Sequence, residues 1–166
     1  MEKEIIIKPK FVFKEYFKVN LYLAFSTLLY KVILILNICA LFFILVGTFL
    51  KTTNNLSFEP FIIITLYSII LIFFIYTKTK NSLQNPKIKE AIKLKFNNYF
   101  FEEVGETYNI KYNWKEIYNI KETNKWFLIF IQKKLAKVIV ISDLKDNQYN
   151  ELKELFSSLN IKKSLK

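Results

Sequence analysis

Neither histidine nor arginine occurs in the 166 residues, and all 25 basic side chains are lysine. The missing histidine removes the commonest general base and metal ligand. The missing arginine removes the usual bidentate reader of phosphate and guanine. A single cysteine, Cys39, leaves no disulfide framework and no cysteine metal site, and its place in an apolar run marks it as a small buried hydrophobe. With two glycines, Gly47 and Gly105, and three prolines, the chain holds no glycine-rich phosphate loop. Ser142, Ser157 and Ser158 have no base nearby in any recognisable motif. Glu102, Glu103 and Glu106 cluster where a turn is predicted, and a solvated turn explains them better than an acid/base pair. No catalytic residue, metal or cofactor is expected, and the chain does not read as an enzyme.

What is abundant is apolar: 52% hydrophobic and 17% aromatic residues, alongside 23% charged. Segment by segment this mixture separates. Residues 32–50 and, from Pro60, residues 60–76 carry no charge. About twenty such residues in a helix span the roughly 30 Å hydrocarbon core of a bilayer. Each run, taken as 32–50 and 56–76, holds fourteen Leu, Ile, Val or Phe residues, which favours insertion by roughly 4 to 8 kcal/mol per span. Asn37, Thr65 and Ser68 offset only part of that, and interhelical hydrogen bonds from Asn37 to Thr65 or Ser68 are expected to hold the spans together. The predicted spans are 32–50 and 57–76, a hairpin over 32–76 that crosses a membrane, with the lipid bilayer as its first partner.

Lysines set the orientation. Lys14, Lys18 and Lys31 precede the first span, and Lys78, Lys80, Lys87, Lys89, Lys93 and Lys95 follow the second, while residues 51–60 hold one lysine and one glutamate. The excess of lysine next to the outer ends of the hairpin places both termini in the cytoplasm. The same six lysines after the second span form a basic cluster able to face anionic lipid.

Residues 1–31 read as an N-terminal arm. A short strand at 4–8 ends at Pro9, and Phe13, Phe17, Leu21, Phe25 and Leu28 form an apolar stripe on a helix leading into the first span. Residues 77–166 hold eighteen lysines against ten acidic residues. Period-two alternation at 92–96 and 108–114, with further apolar runs at 99–101, 117–120, 126–131 and 137–141, predicts an antiparallel meander. Its breaks are expected at 97–98, 103–106, 122–125 and 132–135. A helix over 146–160 follows, with Asp146 as N-cap and Tyr149, Leu152, Leu155, Phe156 and Leu159 on one face. About five strands closed by a helix describe a small pleckstrin-homology-like barrel, making the whole a membrane α+β chain. Whether residues 4–8 join the sheet is open at this level.

The order of these parts, the Asn85-Pro86 connector and the step Trp114-Lys115-Glu116-Ile117 followed by Ile120 and Glu122 resemble the YcxB-like family of small bacterial membrane proteins. The resemblance implies a pleckstrin-homology-like cytoplasmic domain, with Trp114, Ile117 and Ile120 in its core, and brings no catalytic residue or cofactor. Where the family often has Ile-Pro-Lys before the last helix, this chain has Val140-Ile141-Ser142-Asp143, so no role is carried over to that step.

A net charge of +11 raises nucleic acid as a partner. The lysines are spread along the domain and no helix-turn-helix is visible, so nucleic acid is not expected. The expected function is a membrane-tethered interaction or regulatory module whose domain binds a protein partner or anionic lipid. Trp126, Phe127 and the 132–134 turn are candidate contacts. The alternative is an immunity protein that protects the membrane against a cognate toxin.

Overall fold

The computed structural model describes residues 4–49, 59–145 and 147–166. The connector expected at 51–60 lies, up to residue 58, outside the described residues, as does the Asp146 cap. The element order is β1 (Ile5–Ile7), α1 (Phe13–Phe25), α2 (Leu28–Phe49), α3 (Glu59–Leu83), a single turn α4 (Pro86–Lys89), β2 (Lys93–Phe96), β3 (Phe100–Val104), β4 (Asn109–Asn113), β5 (Asn119–Glu122), β6 (Trp126–Gln132), β7 (Leu135–Val140), α5 (Gln148–Ser158) and β8 (Lys163–Ser164). Two compact units result: Met1–Glu15 with Ser82–Lys166, and Tyr16–Asn81.

In the helical unit, α2 over Leu28–Gly47 and α3 over Ile62–Leu83 are long and apolar enough to cross a membrane. Their less exposed side chains recur at the four-three spacing of a helix–helix seam: Ile33, Asn37, Ala40, Ile44 and Gly47 on α2, and Ile64, Ser68, Leu71 and Ile75 on α3. Small residues such as Ala40 and Gly47 let two backbones approach closely. The opposite faces are apolar and exposed, Leu45 at 70% and Phe73 at 65% among them. Cys39 is exposed on such a face, not buried, because it lies off the seam.

The helix leading from the arm towards the first span ends at Phe25, with a break at Ser26 and Thr27 before α2. The Ser26 hydroxyl donates to the Leu23 carbonyl and the Thr27 hydroxyl to that of Ala24, in competition with the helical ladder. On α1 the buried side chain is Val19. Asn20 Nδ2 donates to Thr79 Oγ1 at 2.9 Å, and Thr79 in turn donates to the Ile75 carbonyl. α3 runs on past this part-buried bond to Leu83, where the apolar count alone ends the span at 76.

The second unit is two antiparallel sheets and a helix. One sheet has the order β1-β2-β3-β4, the other β7-β6-β5-β8. β1 answers the open question of residues 4–8: Ile5 pairs with Phe96 and Ile7 with Leu94. β8 adds parallel to β5. Inward side chains alternate along the strands, with Leu94, Phe96, Phe101, Ile120, Phe127, Ile129 and Ile139 in one core that α5 closes with Leu152, Leu155, Phe156 and Leu159. Phe156 stands edge-on to Phe96, Trp114 and Phe127, at 6.2, 6.0 and 5.4 Å between ring centroids.

Three expectations need correcting here. Glu102 and Glu103 are not in a turn: both lie within β3, and Glu103 points inward to a lysine on the other sheet. Likewise the breaks placed at 122 and 132–135 are narrower, since Glu122 ends β5, Gln132 ends β6 and Leu135 starts β7. Trp126 and Phe127 are not surface contacts but are 7% and 0% exposed. β6 is apolar on both faces, as in strands covered on both sides.

Candidate functional site

The six lysines expected to face lipid are distributed over three elements. Lys78 and Lys80 are exposed on the last turns of α3, and Lys87 and Lys89 on α4. Lys93 and Lys95 project outward from β2, opposite to buried Leu94 and Phe96. Lys95 lies 3.9 Å from Glu4, a loose surface pair worth little. On the helical unit, Asn37 Nδ2 donates to Ser68 Oγ at 2.7 Å and to the Ile33 carbonyl, while Thr65 is exposed on α3. Such a bond inside a membrane is worth about 0.6 kcal/mol on average. Asn37→Leu should therefore leave the chain folded and lower the hairpin's resistance to denaturing detergent only slightly, as read by circular dichroism.

Trp114, Ile117 and Ile120 lie in the core. The Trp114 indole donates to the Asn97 carbonyl at 2.8 Å, which ties the turn between β2 and β3 to the segment entering β5. Residues 141–143 form a single helical turn in which Asp143 accepts the Lys10 amide at 3.0 Å, a bond that holds the chain leaving β1.

Three polar arrangements escaped sequence reading. At the β3–β4 turn, the Glu90 carboxylate accepts the amides of Glu106 and Thr107 and the Thr107 hydroxyl. The Thr107 hydroxyl first, then these amides and the nearby Lys87 ammonium, hold the Glu90 carboxyl below the usual carboxylate range. Its Oε2 and the Tyr108 ring both crowd the Cα of Gly105, where any side chain would collide with them. Asn85 caps α4 by accepting the Lys87 amide, with Pro86 in the first turn.

The second arrangement joins the two sheets. Glu103 pairs with Lys137 and accepts the Tyr108 hydroxyl at 2.7 Å, and the Lys137 ammonium also lies 5.7 Å from the Tyr112 ring centre. Burial first, then the hydrogen bond to Glu103 and its charge, push the Tyr108 phenol above its ordinary value. A phenol that keeps its proton longer when folded leaves stability unaffected below its unfolded pKa of about 10 and lowers it as pH rises further. Tyr108→Phe should remove that part of the alkaline loss, checked by urea unfolding of both chains at rising pH.

The third arrangement is Glu122, which is 5% exposed, accepts the Tyr149 hydroxyl at 2.6 Å and the Lys166 amide at 2.8 Å, and lies 3.7 Å from the Lys153 ammonium. Alternation along β3 and β5 places Glu103 and Glu122 inward, but nothing local to either residue marks the partner.

Beside the Glu103–Lys137 pair the two sheets stay apart. β4 pairs only with β3 and β7 only with β6, and no ladder joins β4 to β7 among the described residues. Inward positions at this corner are consequently uncovered: Ile110 is 41%, Tyr118 47% and Leu135 54% exposed, with Tyr112 and Ile131 half-buried. Exposed Lys133 and Lys134 sit at the adjoining turn. Among the described residues no group of three or more His, Cys, Asp or Glu is placed to hold a metal.

No curated protein and no solved structure matches the chain. The family model described as YcxB-like protein matches residues 96–156, which run from the last residue of β2 to the core of α5. Over that segment, which holds the Trp114-to-Ile117 step, the chain is similar to the YcxB-like protein family.

Proposed function

We propose that the chain is a membrane-tethered interaction module: α2 and α3 cross the bilayer as an antiparallel hairpin, and the two sheets with α5 form a pleckstrin-homology-like cytoplasmic domain that binds a protein partner. The observation that carries the tether is that the helical pair is apolar all round. Its seam holds Asn37, Ala40, Gly47 and Ser68 among isoleucines and Leu71, and large apolar side chains also cover its exposed faces. Water disfavours such a surface and hydrocarbon accommodates it. Seven strands in two antiparallel meanders followed by a closing helix support the domain reading. Both connections to the helical unit leave from one end of the first sheet, after β1 and before β2. The lysines beside the spans favour a cytoplasmic domain and add attraction to anionic lipid.

Affinity purification of the tagged full chain from its native membrane in mild detergent, followed by mass spectrometry, tests the reading. One stoichiometric partner protein is expected. Recovery of no partner protein, with or without enriched anionic lipid, contradicts it.

A further inference from the structure

We infer that the open corner between β4 and β7 docks an extended segment of the partner protein, one whose apolar side chains alternate with acidic ones and which adds as a strand to β4. The inference rests on the proposed protein-binding role and gives that role a surface.

A free strand edge is a template for another strand, and proteins usually blunt it with proline, a bulge, inward charge or a cover. Here the other edges are short, covered or blunted by an inward charge. β1 has three residues and is followed closely by Pro9, β5 is covered by the two-residue β8, and β7, six residues long, carries Lys137 inward against Glu103. β4 has five residues, no proline and no bulge against β3. Its one lysine, Lys111, does not guard the edge, because its ammonium is turned back over the Phe100 ring at 3.4 Å.

Beside that edge lies an apolar floor. Ile110 and Tyr112 project from β4 on the inward side, and the Lys137 ammonium over the Tyr112 ring brings β7 close to them. Leu135 stands two residues before Lys137 on the same side of β7, and Tyr118 enters β5 next to Phe130, with its amide bonded to the Phe130 carbonyl. A strand added to β4 would lay every second side chain on this floor. Lys115, Lys133 and Lys134 are exposed around it. The acids in this surround are each engaged: Glu116 by the Asn113 amide group, Glu102 by that of Asn109, and Glu103 by Lys137 and the Tyr108 hydroxyl. The charge therefore fits acidic residues in the incoming segment. A second copy of the chain fits less well, because two β4 strands related by a two-fold axis at Lys111 would set lysine against lysine.

The probe is the peptide acetyl-Asp-Val-Asp-Ile-Asp-Val-Asp-amide, added to the full chain in lipid nanodiscs and read by amide hydrogen exchange. Slowed exchange in residues 109–113 is expected. Methylating alternate peptide nitrogens removes the edge hydrogen bonds without altering side chains and should weaken binding at least about tenfold. Ile110→Lys should do the same. Lys133→Glu with Lys134→Glu, two exposed changes that leave the core intact, should weaken it several-fold. Absence of binding, equal binding of the methylated peptide or of an all-aspartate peptide, or protection at β1 or β5 instead would overturn the inference, as would protection of β4 by self-association alone. If a partner captured by the wild-type chain is retained by the Ile110→Lys, Leu135→Lys chain, the surface is wrong and the interaction role stands. If the wild-type chain captures none, the role itself falls.

Discussion

Phe156→Ala is expected to lower the stability of the sheet-and-helix unit by about 3–5 kcal/mol, enough to leave much of it unfolded at room temperature. The side chain is fully buried, and its ring is the piece of α5 that touches both sheets, through Phe96 on one and Phe127 on the other. Alanine there leaves a ring-sized hole that Trp114, Phe96 of β2 and Phe127 of β6 line, and surrounding side chains that already pack on each other can close only part of it. Both tryptophans of the chain, Trp114 and Trp126, lie in this unit, so tryptophan emission during urea unfolding of the full chain in mild detergent reads it without signal from the helices. A midpoint unchanged from wild type would mean that α5 does not close the core.

The second large effect is predicted for Glu122→Leu, a loss of about 2–4 kcal/mol by the same measurement. Leucine fills similar space yet strips the acceptor from the Tyr149 hydroxyl and the Lys166 amide, and leaves Lys153 beside an apolar group. The damage should spread beyond the pair. β8 holds to β5 by two residues, and Lys163 within it donates to the carbonyls of Phe156, Ser157 and Leu159 at the end of α5. A cation there satisfies carbonyls that the helix leaves open and opposes the negative end of its dipole. Glu122→Gln, which keeps one acceptor oxygen, should cost less than Glu122→Leu. Equal losses would point to charge instead of hydrogen bonding as the cause.

Much of the strand pattern was legible because it depends on neighbours two residues apart. The alternation at 92–96 and 108–114 corresponds to β2 and β4, and the apolar face at Leu152, Leu155, Phe156 and Leu159 to α5. Glu103 and Glu122 were misread as parts of turns because a carboxylate breaks an apolar pattern whether or not it is buried. What keeps them inside strands is Lys137, thirty-four positions away, and Tyr149, twenty-seven away, and no local period reports such partners. Trp126 and Phe127 failed differently. A run that is apolar on both faces reads equally well as a core strand or as an exposed docking strip, and burial decides between them.

The helices show the same division. Composition alone marks α2 and α3, but it does not report that α3 runs on to Leu83, nor that Thr79 meets Asn20 across fifty-nine positions. The open corner between β4 and β7 was invisible for a simpler reason. An uncovered strand edge is a property of sheet order, and sheet order is set by which strands find each other, not by the residues at the edge.

That α2 and α3 cross the membrane with the domain on the cytoplasmic side is tested most directly by cysteine labelling in intact cells. In a Cys39→Ala background, Thr53→Cys in the connector and Lys133→Cys at the β6–β7 turn are exposed separately to a membrane-impermeant maleimide. The prediction is that Thr53→Cys is labelled in intact cells, and Lys133→Cys only after the cytoplasmic membrane is permeabilised. Labelling of Lys133→Cys in intact cells, or release of the chain from membranes by alkaline carbonate, would contradict the membrane-tethered account.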